Sequence, residues 1–206
     1  MTLAVLASDL QKEEIASSSL FQKHEVVFSE NISLWANHTA DAFLDLTFEA
    51  DPERIKFLAR LLPKPVFVHA VTETLNQIHP SFIRINAWPG FLKGKILEAS
   101  AGDVFRETGK KIFGDGILFV KDAPGFVSAR IVAMIINEAF FTFEAGTGAK
   151  ADIDIAMKLG TGYPFGPFEW ASMIGEDRIT QLLLKLKSTD SLYELAEGLK
   201  PKTVNS

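Results

Sequence analysis

The feature that most narrows the fold is a change of pattern at Asp122-Ala123-Pro124-Gly125: short apolar runs alternate with helical stretches before it, and only helical stretches follow. Thr2 to Leu6 is apolar, Ala7 to Gln22 is polar and small, and His24 to Ser29 is apolar again, which reads as strand, helix, strand. Ala42 to Phe48 is a third strand, and Asp51-Pro52 supplies an N-cap and first-turn proline for a helix carrying Ile55, Phe57, Leu58, Leu61 and Leu62. Pro65 to Val71 reads as strand four. Ser81 to Asn86 and Lys95 to Ala99 can each add a strand, Val104 to Lys111 a weak helix, and Gly116 to Lys121 one more strand. Nearly continuous apolar strands alternating with helices predict an α/β domain over residues 1–121, with a parallel sheet covered on both faces.

Residues 122–206 read as an all-α domain. The segment from about Phe126 to Glu144 carries Val127, Ile131, Val132, Ile135, Ile136, Phe140 and Phe143 and has little polar face, so it must be covered on all sides. The sixty or so residues that follow are too few to wrap it, which predicts that a second copy of the chain covers part of it. Gly146 to Ala149 ends this helix, Asp152 is expected to cap the next one over Ile153 to Leu159, Gly160 to Gly166 is a turn, and Ile179 to Lys187 is amphipathic.

Composition removes several classes of function. The chain has 47% hydrophobic against 23% charged residues, and 17 Phe against 2 Tyr predicts a Phe-rich interior. Net charge is -5 with no basic block, so a surface that tracks nucleic-acid phosphates has nothing to build on. The absence of cysteine excludes disulfides, thiolate nucleophiles and Cys-ligated zinc, and fits a reducing cytoplasm. Asp9, Lys12, Glu13 and Glu14 come too early for a signal peptide, and the longest apolar stretch, Ile131 to Phe143, is cut by Asn137 and Glu138, so neither secretion nor a membrane partner is expected. His24, His38, His69 and His79 show no metal-ligand spacing, and Trp35, Trp88 and Trp170 form no evident cage.

Three motifs in order, Lys121-Asp122-Ala123-Pro124-Gly125-Phe126-Val127, Asp152-Ile153-Asp154-Ile155-Ala156-Met157 and Gly160-Thr161-Gly162-Tyr163-Pro164-Phe165-Gly166-Pro167-Phe168-Glu169, resemble the C-terminal domain of the 3-hydroxyacyl-CoA dehydrogenase family. The resemblance extends more weakly through the first 121 residues. It implies a Rossmann-like NAD-binding domain followed by a helical dimerisation domain, a homodimer, and oxidation of an L-3-hydroxyacyl-CoA with NAD as cofactor.

The sites have to be read residue by residue, because a fold hosts many chemistries. The family's G-x-G-x-x-G after strand one lets backbone amides approach a pyrophosphate; here the three glycine places hold Ala7, Asp9 and Lys12. A carboxylate at Asp9 also opposes a phosphate. Glu30 matches the family's acidic residue on the adenine ribose; read from the residues alone it is a solvated charge at a strand end. The family's catalytic His, twelve residues before Glu98, corresponds to Asn86, an amide that does not titrate and cannot act as a base. Ala129 replaces a substrate-binding Asn, beside Ser128, whose hydroxyl could take over if it turned inward. Val71 replaces another Asn, and Thr74 keeps one hydroxyl. Asn31 to Ala40 is barely a loop where the family carries a helical excursion over the acyl-CoA. His69 or His79 would be the stand-in for the missing base. The sequence therefore supports a dehydrogenase-like protein with degenerate cofactor and catalytic sites and a residual role in binding a small acyl ligand, in a cleft between the domains, or in dimer scaffolding. The alternative is an active NAD-dependent oxidoreductase acting on a 3-hydroxyacyl-CoA or related hydroxy acid.

Overall fold

The computed structural model describes residues 1–37 and 39–201, which form two compact units, the first ending at Phe126 and the second starting at Val127. The first holds β1 (Thr2–Leu6), α1 (Asp9–Ser17), β2 (Glu25–Phe28), β3 (Ala42–Asp45), α2 (Pro52–Ala59), β4 (Val66–His69), β5 (Ile83–Ile85), β6 (Leu97–Ser100), α3 (Asp103–Phe113) and β7 (Ile117–Phe119). All seven strands join one sheet in the order β2-β1-β3-β4-β5-β6-β7, a Rossmann-like arrangement. The order reverses around β1, which places a topological switch point between β1 and β3, where ligands of open α/β sheets bind.

The expected parallel sheet is there, with one antiparallel pair that the sequence did not announce: β5 and β6 pair antiparallel, while β6 and β7 run parallel to each other. The cause is the connection. Parallel neighbours need a crossover of a dozen or more residues, usually a helix, whereas the chain between Ile85 and Leu97 only turns back on itself. Helix α3 then restores a parallel crossover into β7.

The pleat divides the core. Leu3, Val5, Leu44, Phe67 and Ile85 face α1 and α3, and Phe113 at the end of α3 meets Phe21 and Phe67 edge-on at 5.6 and 5.5 Å. Such pairs add about 0.5–1.5 kcal/mol each beyond their buried area. Ala4, Phe43, Val66 and Val68 face the other way, under Trp35, Leu58 and Phe82. The expected Phe-rich interior is there. Trp35 stands on a 3-10 turn, Ile32–Asn37, with its ring 5.2 Å from Phe43 and its indole N–H donated to Ser29 Oγ at 2.8 Å. The short link after β2 therefore supplies a lid to the core. His38 lies outside the described residues.

Asp122 to Phe126 stay with the first unit because they are tied to its strand ends: Gly125 N–H donates to the Val71 carbonyl at 2.7 Å, and Leu75 N–H to Asp122 Oδ2 at 2.9 Å.

The second unit contains α4 (Ser128–Glu144), α5 (Lys150–Thr161), α6 (Pro167–Ile174) and α7 (Glu176–Lys187). Asp152 is not the cap it was expected to be. Ile153 N–H already bonds the Ala149 carbonyl at 3.0 Å, so the helix starts at Lys150 with Ala149 as N-cap and Asp152 inside its first turn. The neighbouring Asp154 has the structural task. It is buried, and its carboxylate accepts the Phe168 N–H at 2.8 Å, capping α6 from α5. Lys158 pairs with Glu169, and Glu169 accepts the Gly166 N–H at 2.9 Å. The segment from Gly160 to Gly166 is thus a helix connector, with Gly162 in the left-handed region at φ 72°. Among the described residues no helix is long and apolar enough to cross a membrane.

Gly166 has no room for a side chain, because a Cβ there would overlap the Asp154 carboxyl group. Gly166→Ala is expected to lower stability by roughly 2 kcal/mol, the usual cost of forcing a methyl group into a packed site, read as an earlier urea midpoint with an unchanged slope.

Candidate functional site

The carboxyl ends of β1, β3, β4 and β5 converge around the N-terminus of α1. That N-terminus bonds to its own side chains. Ser8 is the N-cap: its Oγ accepts the Gln11 N–H at 3.4 Å, and Gln11 Oε1 accepts the Ser8 N–H at 3.0 Å, a reciprocal capping box. Asp9 stands in the first turn and pairs with Lys12 at 2.9 Å. Gln11 is buried, and its amide nitrogen donates to the Leu46 carbonyl at 3.1 Å and the Ala87 carbonyl at 2.9 Å, spanning the switch point from β3 to the segment after β5.

Asn86 and Glu98 meet. The antiparallel register of β5 and β6, Arg84 with Ser100 and Ile85 with Ala99, continues to put these two directly opposite, with Asn86 N–H bonded to the Glu98 carbonyl at 3.0 Å. Side chains so placed lie on one face about 4.5–5.5 Å apart at Cβ. Both are buried. Asn86 Oδ1 accepts the Trp88 N–H at 3.2 Å, which shapes the turn that follows.

The two candidate stand-in histidines separate. His69 closes β4 and its Nδ1 accepts the Ala87 N–H at 3.0 Å, which requires the neutral ring with its proton on Nε2. His79 precedes β5, at the opposite end of the strands from His69, and its Nδ1 accepts the Ser81 N–H at 3.2 Å while its ring stacks on Phe82. Thr74 caps a 3-10 turn, Leu75–Gln77, with its N–H donated to Gln77 Oε1 at 2.9 Å. Glu30 is exposed beyond β2, and Ser128 opens α4 in the second unit. Trp35, Trp88 and Trp170 are all buried. Among the described residues no three His, Cys, Asp or Glu side chains are grouped to hold a metal ion.

Three buried charges, Arg84, Asp45 and Glu14 of α1, were not singled out from the sequence as site residues. Arg84, in the middle of β5, donates to the Ala70 carbonyl at 3.0 and 2.9 Å, pairs with Asp122 and lies 4.6 Å from the Phe126 ring. Burial pulls its guanidinium below the ordinary arginine value, and Asp122 pulls it back. Asp45, at the end of β3, takes a two-pronged pair from Arg54 of α2 at 2.7 and 2.6 Å. Burial raises its carboxyl above the usual range despite that pair. A charge inside a three-residue apolar strand, as in Phe82-Ile83-Arg84-Ile85, was the available signal for the first of them.

Residues 125–202 match the model of the 3-hydroxyacyl-CoA dehydrogenase C-terminal domain. By this match the helical unit is similar to the C-terminal domain of that family. The chain is 39% identical over 103 residues to a 3-hydroxyadipyl-CoA dehydrogenase of Escherichia coli K12, covering 47% of this chain and 22% of that protein. It is 45% identical over 67 residues to the human mitochondrial hydroxyacyl-coenzyme A dehydrogenase, covering 32% of this chain and 21% of that protein. It therefore spans about a fifth of the length of these relatives. The crystal structure of an (S)-3-hydroxybutyryl-CoA dehydrogenase from Ralstonia eutropha superposes with a TM-score of 0.67 over 96% of this chain and 91% of that one, at 18% identity, a likeness of fold.

Asp122→Ala strips the buried Arg84 of its counter-charge. The expected loss is about 3 kcal/mol, that of breaking a buried pair from one side, and Arg84→Met in the same background should recover part of it in a denaturation double-mutant cycle.

Proposed function

We propose that this chain is a 3-hydroxyacyl-CoA dehydrogenase-like protein with degenerate cofactor and acid–base sites, whose remaining task is binding, of a small acyl ligand, or scaffolding as a homodimer. The observation that carries this reading is the first turn of α1. A dinucleotide's pyrophosphate needs bare main chain there. Instead two of the turn's amides bond to Ser8 and Gln11 side chains, and Asp9 adds a carboxylate whose charge Lys12 offsets without restoring the bare main chain. The residues present do not fit NAD. Asn86 supports the same reading, because an amide takes no proton at neutral pH and loss of a general base alone costs about 10²–10⁴ in rate.

A second reading is an active NAD-dependent oxidoreductase on a 3-hydroxyacyl-CoA or related hydroxy acid. It is favoured by the retained opposition of Asn86 and Glu98. Titration with NADH, followed by tryptophan fluorescence, separates the two: a flat trace up to millimolar cofactor is expected, and saturable binding in the micromolar range would revive the enzyme. Asn86→His alone is expected to leave acetoacetyl-CoA unreduced by NADH, since cofactor binding is missing as well.

The homodimer rests on the second unit. Between α4 and α5 runs an apolar groove of about 450 Å³, lined by Ile135, Ala139, Ile153, Ala156 and Met157. Ile131 on α4 and Ile155 and Leu159 on α5 are exposed as well. A continuous apolar face of this kind, on helices that would otherwise be wetted, suits an isologous pairing of two copies. The lack of cysteine supports a reducing compartment such as the cytoplasm. Sedimentation velocity should give twice the monomer mass, and Leu159→Glu should give the monomer.

A further inference from the structure

One face of α1 reaches the loop between β5 and β6 twice. Three residues after Gln11, Glu14 is also buried, 2% exposed, and its carboxylate accepts the Gly90 N–H at 2.6 Å and the Leu92 N–H at 3.2 Å. Residues three apart on a helix share a face, so Gln11 and Glu14 act as one row. Gln11 holds the Ala87 carbonyl and Glu14 the two amides beyond it.

A carboxylate taken out of water is costly unless hydrogen-bonded, and hydrogen bonds to a charged acceptor are the stronger kind. Glu14 meets that cost only while the loop stays in place. The loop's other ties are the bond from Ala87 N–H to His69, that from Trp88 N–H to Asn86, short turns from Phe91 to Trp88 and from Gly94 to Phe91, and the burial of Ala87, Trp88 and Leu92. It is the same loop that starts at Asn86 and carries Trp88.

We propose that Gln11 and Glu14 form a built-in brace, which ties α1 to the loop 87–92 across the strand ends and holds that loop in one position without any nucleotide. This rests on the reading that the dinucleotide site is lost, and supplies what took its structural place: a side-chain amide spans the switch point and a side-chain carboxylate pins the loop. The segment around Asn86 is therefore rigid and preformed, and does not wait for a cofactor to order it.

Amide hydrogen exchange on the full chain tests it. Glu14→Gln keeps the shape but leaves one acceptor for two amides, and Gln11→Met keeps the length but removes the donor. Glu14→Gln is expected to speed exchange at Gly90 and Leu92 about tenfold or more, as loss of a charged hydrogen bond implies, while α7 is unchanged. Gln11→Met is expected to loosen the same loop, and keeps the test decisive where the glutamate variant fails to fold. Unchanged exchange in the loop of a folded variant overturns the brace. Separately, slower exchange at these amides when millimolar ADP-ribose is added to the wild-type chain overturns the degenerate-site reading beneath it.

Discussion

The carboxyl ends of parallel strands leave carbonyls and loop amides that need partners, and in this chain Gln11 meets that need. Its side-chain amide caps its own helix, reaches the Leu46 carbonyl after β3 and the Ala87 carbonyl after β5, and so closes the place where the strand order reverses. Around Ala87 the network continues: its N–H goes to His69, and Asn86 beside it folds its own carbonyl back on Trp88. A helix N-terminus in such a sheet is a ready anion site only while its amides face outward unclaimed. Here two of them, those of Ser8 and Gln11, turn on each other's side chains, and the first charge along the helix is the carboxylate of Asp9.

A second tie works at Arg84. Its guanidinium, sunk in β5, gathers the segment after β4 and the chain leaving β7, through Ala70, Asp122 and the Phe126 ring. Buried pairs of this kind add little net stability compared with an apolar core, but they are costly to break from one side. The Asp122-Ala123-Pro124-Gly125 segment, which marks the break in pattern along the chain, is in this way anchored to the sheet and leads on to the helices. The motifs of the helical unit have a comparable structural role, since Asp154 caps α6, Glu169 closes its first turn and Gly166 gives them room.

Much of this was legible in the chain. The strands were readable because nearly every residue in a sheet covered on both faces is apolar, and α2 because Asp51-Pro52 announces its start. The spacing from Asn86 to Glu98 was readable too, and the antiparallel register puts them face to face. What escaped the sequence reading was long-range. Ser8-x-x-Gln11 is a capping-box signature, yet nothing local says that the far end of Gln11 reaches Ala87. Nothing local told His69 from His79, which the fold sends to opposite ends of two neighbouring parallel strands. The expected cap at Asp152 lies inside the first turn because the helix already begins at Lys150, with Ala149 as N-cap.

The sequence by itself determined the alternation of strand and helix, the switch to helices after Asp122, and the residue types at each family position, because these depend on local periodicity and on chemistry carried by single side chains. Only the tertiary structure decided the reversal of β6 and β7, the burial of Arg84 against Asp122, and the closing of the strand ends by Gln11 and Glu14. Each of these is a meeting of groups far apart along the chain, and a hydrogen bond or ion pair between them has no existence until the fold brings both partners to the same place and takes the water away.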